Sequence, residues 1–262
     1  MKGLAVYVVC ALWLLSPLCA PAQGLAGDES FSRINQDFRE GRYEQAARGY
    51  EDLAASGRAG GHVYYNLGNA CLKMGRPGEA ILNYERARLM IPRDKDLSFN
   101  LSHALDLKAD SSVSPAGPLS SVFFWIRSFA LPELFWAFAL CNGVLFAVLL
   151  LRLFWRAEWG YYLLMATLFL WFMGGLSFGL KLYETASDSR AVVVAKTADA
   201  LAGPEPGDTV LFNLTEGAYV ACERSEHDWI LVSLPDGRRG WVRAQDAEVI
   251  VDRNLKARLL PF

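Results

Sequence analysis

Two stretches without a single charged residue decide what this chain can fold into. Leu134 to Leu151 reads LFWAFALCNGVLFAVLLL, and Tyr161 to Leu180 reads YYLLMATLFLWFMGGLSFGL. At about 1.5 Å of rise per residue, each is long enough to cross a hydrocarbon layer roughly 30 Å thick. Arg152, Arg156 and Glu158 interrupt the run, so two helices joined by a short turn are expected. Core helices of a soluble domain rarely combine so much Phe and Trp with no charge, and residues 133–183 therefore read as a transmembrane hairpin. Ala139, Gly143 and Ala147 fall four apart on the first helix, as do Gly175 and Gly179 on the second. Small residues at that spacing let helices approach closely in lipid, which makes these two faces the expected packing seam. Neither span contains an ionisable residue, so no ion or proton path is expected.

The first residues set the orientation. Lys2, an apolar run from Leu4 to Leu15, and Ala20-Pro21-Ala22 have the layout of a secretory signal peptide over residues 1–22. Everything after it then starts outside the cytoplasm, and two crossings return the chain to the same side. Arg152 and Arg156 place the turn in the cytoplasm by the positive-inside rule. The expected localisation is a bacterial inner membrane, with membrane lipid around the hairpin and both soluble parts periplasmic. A net charge of -2 over 262 residues argues against nucleic acid as a partner. The five cysteines show neither a disulfide framework nor metal-ligand spacing. No phosphate loop, nucleophile elbow or metal-binding helix is present. His227 beside Asp228 lacks a positioned nucleophile and reads as a surface residue. The expectation is a non-enzyme without a cofactor.

Residues 28–108 repeat. Gly41-Arg42-Tyr43-Glu44-Gln45-Ala46 returns 34 residues later as Gly75-Arg76-Pro77-Gly78-Glu79-Ala80, and Asn66-Leu67-Gly68-Asn69-Ala70 returns as Asn100-Leu101-Ser102-His103-Ala104. Tyr64, Leu67, Gly68 and Cys71 share one helical face, as do Ala80, Tyr84 and Ala87. Gly75 followed by Pro77 ends one helix and starts the next, and Pro92 stops the second. Five helices follow: two pairs and a last helix with the stripe Leu97, Leu101, Leu105. The period and these eight positions from Tyr64 to Pro92 resemble the tetratricopeptide repeat. That resemblance implies a peptide- or protein-binding groove on the first helices of each pair, lined by Tyr65, Asn66, Asn69, Asn100 and His103. Plain solvated polar residues are the competing reading of the same positions.

Residues 109–132 read as a Ser/Pro/Gly-rich linker followed by an interfacial segment, Val122 to Ala130. Residues 189–252 carry short β-type runs, at Ala191 to Ala195, Thr209 to Leu214, Ala218 to Cys222, Trp229 to Leu234 and Gly240 to Arg243, with a last piece near Val249. Gly203-Pro204, Pro206-Gly207, Glu216-Gly217 and Asp236-Gly237 separate some of them as turns. Leu214, Gly217, Trp229, Val232, Gly237, Gly240, Trp241 and Val242 resemble the bacterial SH3-like (SH3b) pattern, which implies a small all-β barrel. Many such domains bind peptidoglycan or peptides. Trp229 and Trp241 are the aromatic candidates for that role, although in a barrel this small they are more often core.

The expected fold class is a multidomain membrane protein: an all-α tetratricopeptide array, a two-helix transmembrane hairpin and a small all-β SH3-like barrel. That order resembles the BatE-type proteins of bacterial aerotolerance (Bat) operons. The resemblance implies a membrane scaffold or assembly factor in stress tolerance, whose partners are Bat-type von Willebrand A domain proteins and a MoxR-type ATPase. A cell-wall sensor that binds peptidoglycan through the SH3-like part is the rival of another class.

Overall fold

The computed structural model describes residues 29–107, 124–154 and 158–260. The expected signal peptide, the Ser/Pro/Gly-rich linker and the middle of the hairpin turn lie outside the described residues. Five helices come first: α1 (Glu29–Arg39), α2 (Tyr43–Ala55), α3 (Gly61–Lys73), α4 (Pro77–Met90) and α5 (Lys95–Asp106). Gly75, at φ +73, supplies the left-handed residue after α3, and Pro77 opens α4 where a missing N–H costs nothing. Asp94 caps α5 by accepting the Leu97 N–H at 2.9 Å. Gly68 lies flat against Tyr84, since a Cβ there would stand 2.6 Å from the ring. That contact closes α3 onto α4 over a core containing Tyr50, Val63, Ile81 and Tyr84.

A 3-10 segment (Phe124–Ser128) leads into α6 (Leu131–Phe154) and α7 (Trp159–Ala186), two antiparallel helices long and apolar enough to cross a membrane. Their seam is aromatic. Phe138 stacks on Phe178 with centroids 6.1 Å apart, and its ring edge sits 3.0 Å from where a Gly175 Cβ would be. Trp171 Nε1 donates across the seam to Asn142 Oδ1 at 2.9 Å. Gly143 and Gly179 have open space around them, so the small-residue seam expected through Ala139, Gly143 and Ala147 is corrected. The contacting positions are 135, 138 and 142 against 171, 175 and 178, a 3–4 spacing that large rings fill from one helix into a glycine on the other. The 3-10 segment docks on α7, where Trp125 Nε1 donates to Ser177 Oγ at 3.2 Å.

Only Ser187, Asp188 and Ser189 separate α7 from the sheet. Its strands are β1 (Arg190–Val193), β2 (Thr197–Leu201), β3 (Val210–Thr215), β4 (Tyr219–Glu226), β5 (Trp229–Ser233), β6 (Arg239–Arg243) and β7 (Ala247–Val249), followed by α8 (Arg253–Leu259). They pair in the order β3-β2-β6-β5-β4-β1-β7. The expected closed barrel is corrected to an open sheet with β3 and β7 as its edges. Gly217 and Gly237 turn the chain at φ +82 and +87. Gly240 lets β6 approach β2, because a Cβ there would meet the Ala200 Cβ at 2.8 Å. Strand β2 and helix α8 are additions to the expected elements. Asp252 caps α8, accepting the Leu255 N–H at 2.6 Å.

The array and the sheet share a wall. Along β1, Ala191 and Val193 enter the core of the sheet, while Val192 between them enters the core of the helical array. Tyr219 and Ile250 join Val192 on the array side, and Val220 and Ala247 lie on the sheet side. Leu255 and Leu259 of α8 also pack into the array core. A strand buried on both faces needs a continuous apolar run rather than alternation, and AVVVA at Ala191 to Ala195 is such a run.

Candidate functional site

The 34-residue period reappears as a hydrogen-bond ladder. Asn35 Oδ1 accepts from the Tyr50 hydroxyl at 2.6 Å and from Asn66 Nδ2 at 3.0 Å. One period on, Asn69 Oδ1 accepts from the Tyr84 hydroxyl at 2.7 Å and from Asn100 Nδ2 at 2.9 Å. Each rung ties two first helices to one second helix. Asn66, Asn69 and Asn100, expected to line a groove, therefore stand on that face but also hold its helices together. Asn100 Nδ2 reaches the Tyr65 hydroxyl as well, at 3.0 Å. Burial pushes the Tyr50 hydroxyl up to about 12 and raises that of Tyr84, so both remain proton donors to their asparagines at neutral pH.

The ladder stops at His103, which occupies the next position in the series Asn35, Asn69. Among the described residues its side chain has no hydrogen-bond partner, and it is exposed. Beside it Phe99 is 71% exposed and continues the series Phe31, Tyr65 at the same 34-residue spacing. Sequence reasoning missed Phe99, although its offset from Tyr65 was a usable signal. Tyr65, Phe99 and His103 thus form the open end of an aromatic and polar face, with Asn66, Asn69 and Asn100 fixing the helices beneath.

The opposite side of the array is occupied. Glu85, on α4, is buried and accepts from the Tyr219 hydroxyl at 2.7 Å and from Arg88 at 2.6 Å, with Arg190 at 3.6 Å. Arg86 reaches the far edge of the sheet, donating to Ile250 O at 3.1 Å, Val249 O at 3.0 Å and Glu248 at 2.7 Å. The Gly78 N–H donates to Glu216 Oε1 at 2.9 Å. Burial, reinforced by Glu85, holds the Tyr219 hydroxyl well above the usual tyrosine range. Arg258 of α8 donates to the Ala59 carbonyl. Among the described residues, these contacts engage α4 and Ala59 and not the face of α3 and α5 that carries Phe99 and His103.

Trp229 and Trp241 are half-buried and absent from the core of the sheet, which takes Ile230, Val232 and Val242 instead. The alternation of β5 and β6 sends both rings to the outer face, correcting the core reading. Arg243 lies over the Trp229 ring, 5.7 Å from its centroid, beside a cleft of about 290 Å3 that Pro206 and Asp228 also line. His227 sits in the two-residue turn between β4 and β5 at φ +50. No group of three His, Cys, Asp or Glu side chains able to hold a metal occurs among the described residues.

The family model of the tetratricopeptide repeat matches residues 61–94, which are α3, α4 and the turn after them. No curated protein and no solved structure matches the chain. The chain therefore carries a tetratricopeptide repeat, a unit that generally mediates protein–protein interaction, with an antiparallel sheet and two long apolar helices beside it.

Proposed function

We propose that this protein is a non-enzymatic scaffold of a bacterial inner membrane that holds a protein partner on the α3–α5 face of its array. The observation that carries the reading is the pairing of Phe99 and His103, exposed and unpartnered where the repeat ladder ends. Two further features support it. α6 and α7 turn large apolar side chains such as Leu140, Phe169 and Phe172 outward along their length, a surface that lipid covers and water does not. The shared wall requires the array and the sheet to occupy one compartment, which fits two crossings and, with the signal-peptide reading, the periplasm. By its resemblance to BatE-type proteins, the partners are Bat-type von Willebrand A domain proteins and a MoxR-type ATPase complex.

The test is cross-linking in intact membranes followed by mass spectrometry of what co-purifies, comparing wild type with Phe99→Ala/His103→Ala. Both residues are exposed, so stability should shift by only about 0.5 kcal/mol at each. Loss of the same membrane partners from the double variant supports the scaffold. The half-exposed Trp229 and Trp241 beside Arg243 favour a second reading, an SH3-like wall-binding face. Retained partners, together with pelleting on cell-wall sacculi that Trp229→Ala abolishes, would replace the scaffold with a peptidoglycan sensor.

A further inference from the structure

Where the end of the hairpin meets the array and the start of β1 there is a cavity of about 630 Å3. Four cations from four elements border it: Arg88 of α4, Arg127 of the 3-10 segment, Lys181 of α7 and Arg190 of β1. Two carboxylates share the wall, Glu184 and Asp188, and Glu85 lies behind it against Arg88 and Arg190. Four cations against three carboxylates leave the pocket positive, and the excess is not spread evenly. Arg190 is held by both oxygens of Asp188, at 2.9 and 2.7 Å, and Arg88 is held by Glu85. Arg127 is exposed and has no ion pair among the described residues.

Lys181 is only 7% exposed, and its one ion pair, to Glu184, is long at 3.5 Å. Glu184 is itself half in solvent, so it screens the ammonium poorly. An ammonium carries three donors, and enclosing one costs free energy unless an anion answers it. It stands one residue beyond the charge-free run of α7, which the membrane reading places where hydrocarbon gives way to headgroups. Leu89, Pro92, Ile126 and Leu180 supply the apolar part of the wall, beside Tyr183, Ser187 and Ser189. A pocket lined by both cations and aliphatic side chains matches an amphiphile with an anionic head.

We propose that this cavity binds the phosphate of an anionic phospholipid, neutralised by Lys181 and Arg127. The proposal rests on the membrane reading of α6 and α7. The excess positive charge selects a singly anionic headgroup over a zwitterionic one, whose own cation it repels. The ligand is thus a phosphate diester with a net negative charge, such as phosphatidylglycerol, in the leaflet on the side of the array and sheet.

Native mass spectrometry of the full-length protein in mild detergent tests this, with phosphatidylglycerol, phosphatidylcholine and inorganic phosphate as separate probes. Wild type should hold one phosphatidylglycerol about tenfold more tightly than phosphatidylcholine, and Arg127→Gln/Lys181→Gln should lose that preference. Arg152→Gln, at the other end of the hairpin, should keep it. Should the double variant misfold, Arg127→Gln alone is read, because Arg127 is exposed, and a severalfold loss is expected. Equal retention of the two lipids by wild type, or unchanged preference in both variants, overturns the proposal. Saturable, Lys181-dependent binding of inorganic phosphate that competes with neither lipid would assign the site to a soluble phosphate ester instead. Alkaline carbonate extraction of wild-type membranes separates the two failures: release of the protein refutes the membrane reading, whereas retention confines the failure to the headgroup site.

Discussion

Replacing Gly78 with Ala asks whether the array and the sheet are one folded body. In a helix not covered by anything, Ala in place of Gly stabilises by about 0.5–1 kcal/mol. At Gly78 a Cβ would stand 2.7 Å from Glu216 Cγ and 2.7 Å from the Val193 carbonyl oxygen. That carbonyl cannot retreat easily, because it accepts the Gly217 N–H at 2.7 Å. Overpacking of this kind costs about 1–3 kcal/mol, so the net expectation is a loss of about 1–2 kcal/mol located at the wall. Hydrogen exchange of the full-length protein in detergent reads it directly. Peptides covering β1 and β4 should exchange about five- to thirtyfold faster, since 1.4 kcal/mol is one decade, while α1 stays unchanged. Slower exchange in α4 with β1 and β4 unchanged, the result that helix propensity alone predicts, would refute the shared wall.

Arg86→Ala should weaken the same wall by about 1–3 kcal/mol, because it leaves two backbone carbonyls without the donor of a side chain only 10% exposed, while Glu248 is half in solvent; chemical denaturation with exchange at β7 and α8 measures it. Asn69→Ala removes the acceptor shared by Tyr84 and Asn100 and should cost about 1–3 kcal/mol in the array, against about 0.5 kcal/mol for His103→Ala, read as unfolding midpoints. The Tyr219 hydroxyl is raised above the ordinary tyrosine value of about 10, chiefly by burial, and so contributes stability that is present below about pH 10 and lost as pH climbs toward the folded value. Wild type should therefore destabilise at alkaline pH more steeply than Tyr219→Phe, by up to about 1.4 kcal/mol per pH unit, and parallel curves would contradict the assignment. In the hairpin, Gly175→Leu should reduce cross-linking between cysteines placed on α6 and α7, and Gly143→Leu should not, since Gly175 faces Phe138 and Gly143 faces open space.

Much of the architecture was legible because it rests on local periodicity. The 34-residue period announces helix pairs, and charge-free runs announce long apolar helices. What escaped depends on contacts between residues far apart in the chain. Asn66, Asn69 and Asn100 were visible as unusual residues on one face, but their partners Asn35, Tyr84 and Tyr65 lie 15 to 35 residues away on other helices. Small residues four apart in α6 promised a seam, yet large rings at Phe135 and Phe138 lie on the contacting face. Helix α8 was readable from Asp252 followed by Leu255 and Leu259. The shared wall left one trace, the unbroken apolar run of β1, which says that both faces are buried but not what covers the second.

That wall changes what the hairpin means. Glu85 and Tyr219 are hydrogen-bonded although 134 residues and both apolar helices separate them. If α6 and α7 cross a membrane, such a contact can form only when the crossings between its two ends are even in number. The parity follows from the fold and is independent of the few arginines at the turn. A single crossing would place Glu85 and Tyr219 on opposite sides and strand the Arg86 and Glu85 side chains without their partners. The hairpin is thus a loop inserted within one folding unit, whose two ends are fastened where Arg93 meets Glu133 and where Lys256 Nζ donates to the Ala186 carbonyl at 2.7 Å. Fastened in this way, the unit holds α3 and α5 at a fixed position relative to α6 and α7, and the partner proposed for Phe99 and His103 would inherit that position.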